Sequence, residues 1–298
     1  MITVQNVSKT MGGRPIVQDV SFIVPDGSIT GFVGPNGAGK STTMRIMHGL
    51  TAADTGSAQL DVNDNRHAAV PLRLVGSLLD ARGLIPNLKT HQLLDYCALT
   101  QGVAPDTQAL LELVGLADAA SKRVAHLSLG MRQRLGIAVA LIASPENLVL
   151  DEPLNGLDPT GIAWLRDLLR TLCDQGCSIL LSSHIISELA LIADNILIIG
   201  EGRIVLTGSL TDLAARGEPR VIARTNRPEV LAAAVESANG HVHLAPTGEL
   251  HISGLTAREV FTHVVSSGIA LDELTTSGRA LDDIYRDAIN AATTSEPS

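Results

Sequence analysis

The stretch at residues 34–42 constrains this chain more than any other, because it matches the phosphate-binding pattern G-x-x-x-x-G-K-[ST] without a mismatch. Its glycines allow a tight turn that points successive N–H groups inward, and the helix behind it directs the positive end of its dipole to the same place. The flanks fit, since residues 28–33 have the composition of a buried strand and residues 42–48 that of a helix. The sequence therefore predicts a triphosphate site formed by Gly34, Pro35, Asn36, Gly37, Ala38, Gly39, Lys40, Ser41 and Thr42.

Strand and helix patterns alternate downstream of this loop. The apolar run 148–150 delivers Asp151 and Glu152 at its carboxyl end, where open α/β sheets bind their ligands. The run 178–181 leads to Ser182-Ser183-His184, and a helix to about residue 193 and a hairpin follow. This alternation predicts an α/β fold with a mainly parallel sheet. Residues 2–24 predict an antiparallel β subdomain, and residues 51–67 a turn-rich surface connection around Gly56 with short strand-like runs at about 58–62. Residues 80–143 predict a helical insertion, with helices near 92–100 and 106–114.

A shift in composition at Gly217-Glu218-Pro219 predicts a domain boundary, with a nucleotide-binding domain over 1–216. Residues 217–290 show the order strand, helix, strand, strand, helix, strand, which predicts a small α+β domain of the ferredoxin-like type. Its strands are expected at 220–225, 241–245, 249–253 and 269–273, and its helices at 228–238 and 257–267. The second helix is expected to begin at a Thr256-x-x-Glu259 capping box. Residues 291–298 are predicted to be a disordered tail. Because the second domain contains no motif of phosphate or metal chemistry, we expect it to regulate or dimerise the first.

The charge balance excludes one class of partner. The 298 residues include 22 Lys and Arg against 31 Asp and Glu, for a net charge of −9. The sequence has no basic stretch of the kind that binds along the phosphodiester backbone of a nucleic acid. We therefore expect no nucleic-acid partner. The N-terminus lacks the order of a signal peptide and the longest apolar runs are too short to span a membrane, which predicts a cytoplasmic protein. Cys97, Cys173 and Cys177 show no metal spacing and are expected to be reduced.

Five motifs occur in one order: the phosphate loop, LSLGMRQR at 127–134, NLVLDEP at 147–153, GLDP at 156–159 and SSH at 182–184. Over residues 1 to about 210 the chain strongly resembles the ATP-binding subunit of an ABC transporter, and within that family the bacitracin, lantibiotic and multidrug exporters. The resemblance implies an ATP-hydrolysing subunit with ATP and Mg²⁺ as cofactors. It implies a separate transmembrane permease subunit that this chain energises at the inner face of the cell membrane, and a second cassette in a head-to-tail dimer, expected to be a homodimer.

The resemblance also implies roles for the residues beside the phosphates. Lys40 and the loop N–H groups would hold the phosphates, and Ser41 with Asp151 would hold Mg²⁺. Glu152 would polarise the attacking water, while His184 would contact the γ-phosphate and keep that water in line. Taken singly, each has a plainer interpretation, such as a helix cap for Asp151 or a core histidine for His184.

Three further residues are implied to act on the ATP of the second cassette. Ser128 and Gly130 would close over the γ-phosphate held by the opposite subunit, and Asp158 would couple the two sites. Taken alone, Ser128 is also consistent with a plain helix N-cap.

The chain departs from the family pattern at three positions. Met11 stands where an aromatic residue usually stacks on adenine, so that its thioether would supply the contact with the base. Asp80 stands where a Gln normally links Mg²⁺, water and the membrane subunit, and it would face the metal, although a surface acid in a loop is the alternative. Leu129 replaces the first glycine of the signature.

These departures leave a second hypothesis open, namely a cassette dimer that closes on ATP, hydrolyses it weakly and acts as a regulatory or binding module. A third, a soluble ABC-type protein acting on ribosomes or DNA, is disfavoured by the single cassette and the negative charge.

Overall fold

The structure, a computed structural model, describes residues 1–60, 75–104, 106–216, 220–245, 248–277 and 281–294. The chain divides into two compact units, the first comprising Met1–Ser209 with Ala288–Ser298 and the second Leu210–Asp287. The composition shift at 217–219, on which the expected domain boundary rests, lies outside the described residues. The run 61–74, which includes the end of the turn-rich connection, does so too.

The first unit begins with a small antiparallel sheet. Its chain runs through β1 (Ile2–Met11), β2 (Arg14–Val24), β3 (Ile29–Val33), α1 (Lys40–Met47) and β4 (Thr55–Leu60), and the sheet order is β2-β1-β4. The strand-like run expected at about 58–62 starts earlier, at Thr55, so that Gly56 lies in the third strand and not in the expected turn. Gly56 has φ +82°, and a Cβ there would lie 2.3 Å from the carbonyl oxygen of Asn6. The glycine permits close strand pairing at this position.

The helical insertion follows and has its own apolar core. It comprises β5 (Val75–Leu78), α2 (Thr90–Thr100), α3 (Thr107–Leu113) and α4 (Leu129–Leu141). Leu94, Leu111 and Leu135 are buried where α2, α3 and α4 pack together. The two helices expected near 92–100 and 106–114 are thereby confirmed.

The central sheet carries the loop and the acidic pair. Its remaining elements are β6 (Asn147–Leu150), α5 (Pro159–Asp174), β7 (Ser178–Ser183), α6 (Ile186–Leu189), β8 (Asn195–Gly200) and β9 (Arg203–Ser209). The order β5-β6-β7-β3-β8-β9 is parallel except for the β8–β9 hairpin, as expected from the alternating pattern. Strands β3, β6 and β7 are buried along their whole length, which is typical of parallel sheets covered on both faces. Helix α6 ends at Leu189, short of the expected residue 193, because the chain turns there into β8.

The second unit has the expected strand and helix order. It comprises α7 (Leu210–Arg216), β10 (Arg220–Thr225), α8 (Pro228–Ser237), β11 (His241–Leu244), β12 (Leu250–Ser253), α9 (Ala257–Ser266) and β13 (Leu271–Ser277), and α10 (Leu281–Thr294) follows. The antiparallel order β11-β12-β10-β13 is that of a ferredoxin-like sheet.

Local signals account for much of the second unit. Thr256 and Glu259 form the expected capping box of α9, and Val221, Leu231 and Ile252 lie in its core. The last strand extends to Ser277, beyond the expected 273, because it pairs along β10. Helix α10 continues to Thr294, four residues into the stretch expected to be a tail, and 295–298 lie outside the described residues. Within the described ranges, no helix is long and apolar enough to cross a membrane.

Candidate functional site

The phosphate loop connects β3 to α1, and two of its glycines are required by close backbone approach. A Cβ on Gly34 would lie 2.4 Å from the carbonyl oxygen of Ile199, and one on Gly39 would lie 2.7 Å from that of Ile16. Gly39 also has φ +107°, a conformation that side-chain-bearing residues rarely adopt. The loop is therefore wedged between β2 and β8, at the carboxyl end of β3.

Lys40 is the buried cation of this loop, with 5% of its surface exposed. Its Nζ donates to the carbonyl oxygens of Gly34 at 2.6 Å and Pro35 at 3.3 Å, and lies 3.8 Å from Oε1 of Glu152. Burial lowers the pKa of Lys40, while the carboxylates of Glu152 and Asp151 oppose that shift. The ammonium is thus held inside the loop by neutral carbonyls and nearby acids, where an anionic ligand would stabilise its charge.

Asp151 and Glu152 follow β6, and Ser182 at the end of the neighbouring strand β7 binds both. The hydroxyl of Ser182 donates to Oδ1 of Asp151 at 2.5 Å and accepts from the backbone N–H of Glu152 at 2.9 Å. Parallel strands bring these residues together because β6 and β7 end at the same edge of the sheet. Ser182 therefore fixes the Asp151 carboxylate and the backbone of Glu152 together.

Glu152 and His184 form a hydrogen-bonded pair. Nδ1 of His184 lies 3.0 Å from Oε2 of Glu152, and the side chains are 40% and 23% exposed. Glu152 has φ +50°, in the left-handed region that is uncommon for a residue with a side chain. Its carboxylate lies between the ammonium of Lys40 and the ring of His184. His184 is thus an exposed partner of the acid, and the alternative of a core histidine is wrong.

A cavity of about 560 Å³ opens beside this pair. It brings together Ser41, Asp80, Asp151 and Glu152, four residues to which the sequence assigns metal or water chemistry. Its other lining residues are Arg45, Leu79, Ala81, Arg82, Leu129, Gln133 and Asn155. Hydroxyl and carboxylate oxygens are the ligands that Mg²⁺ prefers, so the donor set of the cavity fits that ion.

Asp80 lines this cavity, and its carboxylate is already bound by Arg82. Oδ1 accepts from the backbone N–H of Arg82 at 2.8 Å and from its Nε at 3.0 Å, and Oδ2 accepts from a terminal nitrogen at 3.2 Å. The side-chain hydrogen bond from Arg82 lowers the pKa of Asp80. Asp80 therefore lies in the same cavity as Ser41 and Asp151, with Arg82 as its guanidinium partner.

The signature residues lie at the start of α4. Ser128 caps this helix, its Oγ accepting from the N–H of Met131 at 3.2 Å. A Cβ on Gly130 would lie 2.6 Å from the carbonyl oxygen of Gly156, so the glycine lets the helix contact the loop before α5. Leu129 is 45% exposed next to them.

Asp158 and Met11 lie outside the residues that line this cavity. Asp158 caps α5 by accepting from the N–H of Gly161 at 2.7 Å. Met11 ends β1, is 49% exposed and pairs with Arg14 across the hairpin turn. That hairpin continues into β2, which contacts the phosphate loop at Ile16.

Sequence reasoning missed three contributors to the site. Ser182 and Gln133 both bind Glu152, and Arg82 pairs with Asp80. The first two belong to motifs that were recognised, SSH and LSLGMRQR, but their hydrogen bonds cross between elements and no local pattern encodes them. Arg82 lies two residues from Asp80, and this spacing was the one available signal.

The fold and this site define a phosphate-loop ATPase. The family described as "ABC transporter" matches residues 17–155 of the chain. The lantibiotic transport ATP-binding protein SrtF of Streptococcus pyogenes is 41% identical over 207 residues, covering 69% of this chain and 90% of that protein. The linearmycin resistance ATP-binding protein LnrL of Bacillus subtilis is 30% identical over 284 residues, or 93% of this chain and 88% of the relative.

A solved structure of an ATP binding subunit of an ABC transporter has a TM-score of 0.64 and 29% identity, and the match covers 72% of this chain and 92% of that one. The chain belongs to the family of ABC transporter ATP-binding proteins. It is an ATP-binding subunit and an ATPase of that type.

Proposed function

We propose that this chain powers the export of an antibiotic, a peptide or a similar drug-like compound through a separate membrane-spanning permease, on whose inner face it resides. The cargo class is supported by relatives that are named for lantibiotic transport and linearmycin resistance. The observation that carries the catalytic part of the proposal is the convergence of Lys40, Ser41, Asp151 and Glu152 at one edge of the sheet.

The proposed chemistry uses these residues as follows. Lys40 and the N–H groups of the loop bind the phosphates, and Ser41 with Asp151 provides the ligands of Mg²⁺, which would neutralise charge that develops on the phosphates. Glu152 accepts a proton from the water that attacks the γ-phosphorus, and His184, paired with Glu152, contacts the γ-phosphate. Ser182 keeps Asp151 oriented. Asp80 would add an acidic oxygen near the metal once it exchanges its bond with Arg82.

The site also requires a second copy of the chain. Ser128 and Gly130 lie at the start of α4, where Leu129 is exposed, and the proposal assigns them to the γ-phosphate held by the opposite subunit. Asp158 stands in the adjoining loop before α5 and would couple the two sites. Met11 would contact adenine from the β1–β2 hairpin. In this proposal the second unit regulates or dimerises the cassette.

The test combines turnover with capture of the partner. The purified chain should hydrolyse ATP with a rate that depends on Mg²⁺, and it should become dimeric when ATP is held without hydrolysis. A tagged chain should co-purify from membranes with an integral permease. ATP-dependent dimerisation with negligible turnover, alone and with the permease, would instead favour the weakly hydrolysing binding module.

A further inference from the structure

Gln133 in α4 is a buried polar residue that packing alone does not explain. It is 5% exposed, and its Nε2 donates to the carbonyl oxygen of Glu152 at 2.9 Å. Its Oε1 is also buried and has no hydrogen-bond partner among the described residues. A buried carbonyl oxygen without a partner destabilises a fold, and a leucine of similar size would avoid that cost. The amide is therefore better explained by what it holds than by its contribution to stability.

What Gln133 holds is the backbone of Glu152. The left-handed conformation of Glu152, with φ +50°, is unfavourable for a residue with a side chain and persists where surrounding contacts enforce it. Three such contacts exist, one to the N–H of the residue and two to its carbonyl oxygen, of which one comes from the backbone N–H of Asn155 at 3.2 Å. Ser182 binds its N–H at 2.9 Å and Gln133 binds its carbonyl oxygen. Together they set the direction in which the carboxylate leaves the backbone, toward His184.

A second contact joins the same two segments. A Cβ on Gly156 would lie 2.6 Å from Cδ2 of Leu129, and one on Gly130 would lie 2.6 Å from the carbonyl oxygen of Gly156. The first turns of α4 thus contact the segment between Glu152 and α5 at two places, Glu152 and Gly156. A displacement of the start of α4 would also displace this segment, because the two are closely packed at Gly130 and Gly156.

From these contacts we infer that Gln133 is a positioning residue for Glu152 and connects the start of α4 to the general base. The inference rests on the proposed function, in which Ser128 and Gly130 close over ATP held by the second cassette. When Ser128 and Gly130 close on that ATP, Gln133 would move with α4 and fix the position of the Glu152 carboxylate in this chain. Gln133 would thereby link the occupancy of one site to the hydrolytic competence of the other.

The first test is Gln133→Leu in the full-length chain. Loss of one hydrogen bond to the backbone of Glu152 should lower kcat about five- to tenfold, while ATP affinity and KM stay within about twofold. The melting temperature should not fall, because the substitution also removes the unpartnered Oε1. Gln108→Leu is the matched control, since Gln108 is exposed on α3 and binds Glu112, and it should leave kcat unchanged. Gln133→Met, unbranched and similar in length, serves if the leucine variant is poorly folded.

The second test repeats Gln133→Leu in a Glu152→Gln background, with single-turnover rates. A residue that acts through Glu152 has little left to position there, so the additional loss should be below about twofold. The inference is overturned by an unchanged kcat in Gln133→Leu and Gln133→Met, by a change confined to KM, or by a full additional loss in the double variant. These three outcomes overturn the inference while the unmodified chain still hydrolyses ATP. Absence of turnover in the unmodified chain would instead overturn the proposed function, so the two failures are distinguishable.

Discussion

The two compact units bury different kinds of groups. In the first unit the ammonium of Lys40 is buried among backbone carbonyls and acids, and Glu152 is held in a left-handed conformation. Among the described residues of the second unit, the buried polar side chain is Thr225, whose hydroxyl donates to the carbonyl oxygen of Ala270 at 2.6 Å. The first unit thus buries a charged group, whereas the buried polar group described in the second unit is a neutral hydroxyl with a hydrogen-bond partner.

The difference follows from strand direction. Parallel strands β3, β6 and β7 end at one edge of their sheet, and so deliver Gly34, Asp151 and Ser182 to neighbouring positions. In the antiparallel sheet of the second unit adjacent strands end at opposite edges, so side chains that follow them are kept apart. The topology of the first unit therefore concentrates functional side chains at one edge of its sheet, while that of the second separates the side chains that follow its strands.

The largest expected effect comes from comparing the same type of substitution, Glu to Gln, in each of the two units. Glu152→Gln should reduce kcat by about a hundredfold or more, a loss typical of a general base, while ATP binding is kept and the ATP-bound dimer lives longer. Glu249→Gln, which removes an acid paired with Arg224 in the second unit, should leave kcat within about twofold. Steady-state turnover and equilibrium binding measure both. Unmodified turnover in Glu152→Gln would remove Glu152 from the chemistry.

Asp80 gives a smaller effect within the first unit. Asp80→Ala should lower kcat about tenfold, as loss of a residue near a metal site often does, with ATP affinity little changed because Lys40 and the loop amides remain. Asp80→Glu should retain activity, and Asp80→Asn should weaken the Mg²⁺ dependence. Arg82→Ala is the control, because it removes the guanidinium from the Asp80 carboxylate, leaves the backbone N–H bond and should not lower kcat. Unchanged kcat and Mg²⁺ dependence in Asp80→Ala would make Asp80 a surface acid.

Removal of the second unit should have a still smaller effect. A chain that ends at Arg216 lacks most of the second unit and also residues 288–298 of the first. It should bind ATP with unaltered affinity, since the residues assigned to the phosphates and the metal all lie before Ser209. Its turnover or dimer stability should change by about fivefold, the lower end of the usual coupling between sites. Nucleotide titration and sedimentation test this. A folded truncated chain that no longer binds ATP would contradict the division of labour.

The smallest effect concerns thiols, which lie in the first unit alone. Burial raises the pKa of Cys173 to about 11 and that of Cys177 to about 12. Both thiols stay protonated at pH 8, and the thiolate is the reactive form, so the native chain should react slowly with a thiol reagent at these positions. All 3 cysteines should react on unfolding, which provides a probe of the first unit. Rapid reaction of Cys173 or Cys177 in the folded chain would contradict this.

Local patterns predicted most elements because the physical causes are local. The phosphate loop, the apolar strands after it and the Thr256–Glu259 box depend on backbone conformation and periodicity over a few residues. The error at Gly56 has the same origin. In a sequence, a glycine that permits close approach of two strands looks the same as a glycine in a turn, and the backbone that Gly56 approaches, at Asn6, lies fifty positions earlier.

By itself the sequence determined that a triphosphate loop, an acidic pair and a signature helix belong to one cassette, because each motif expresses its chemistry in adjacent residues. Only the tertiary structure decided which side chains hold the acids in place. Ser182 reaches Asp151 across 31 residues and Gln133 reaches Glu152 across 19, and both contacts exist because strand pairing and helix packing bring distant segments within hydrogen-bonding distance. No spacing along the chain encodes that proximity.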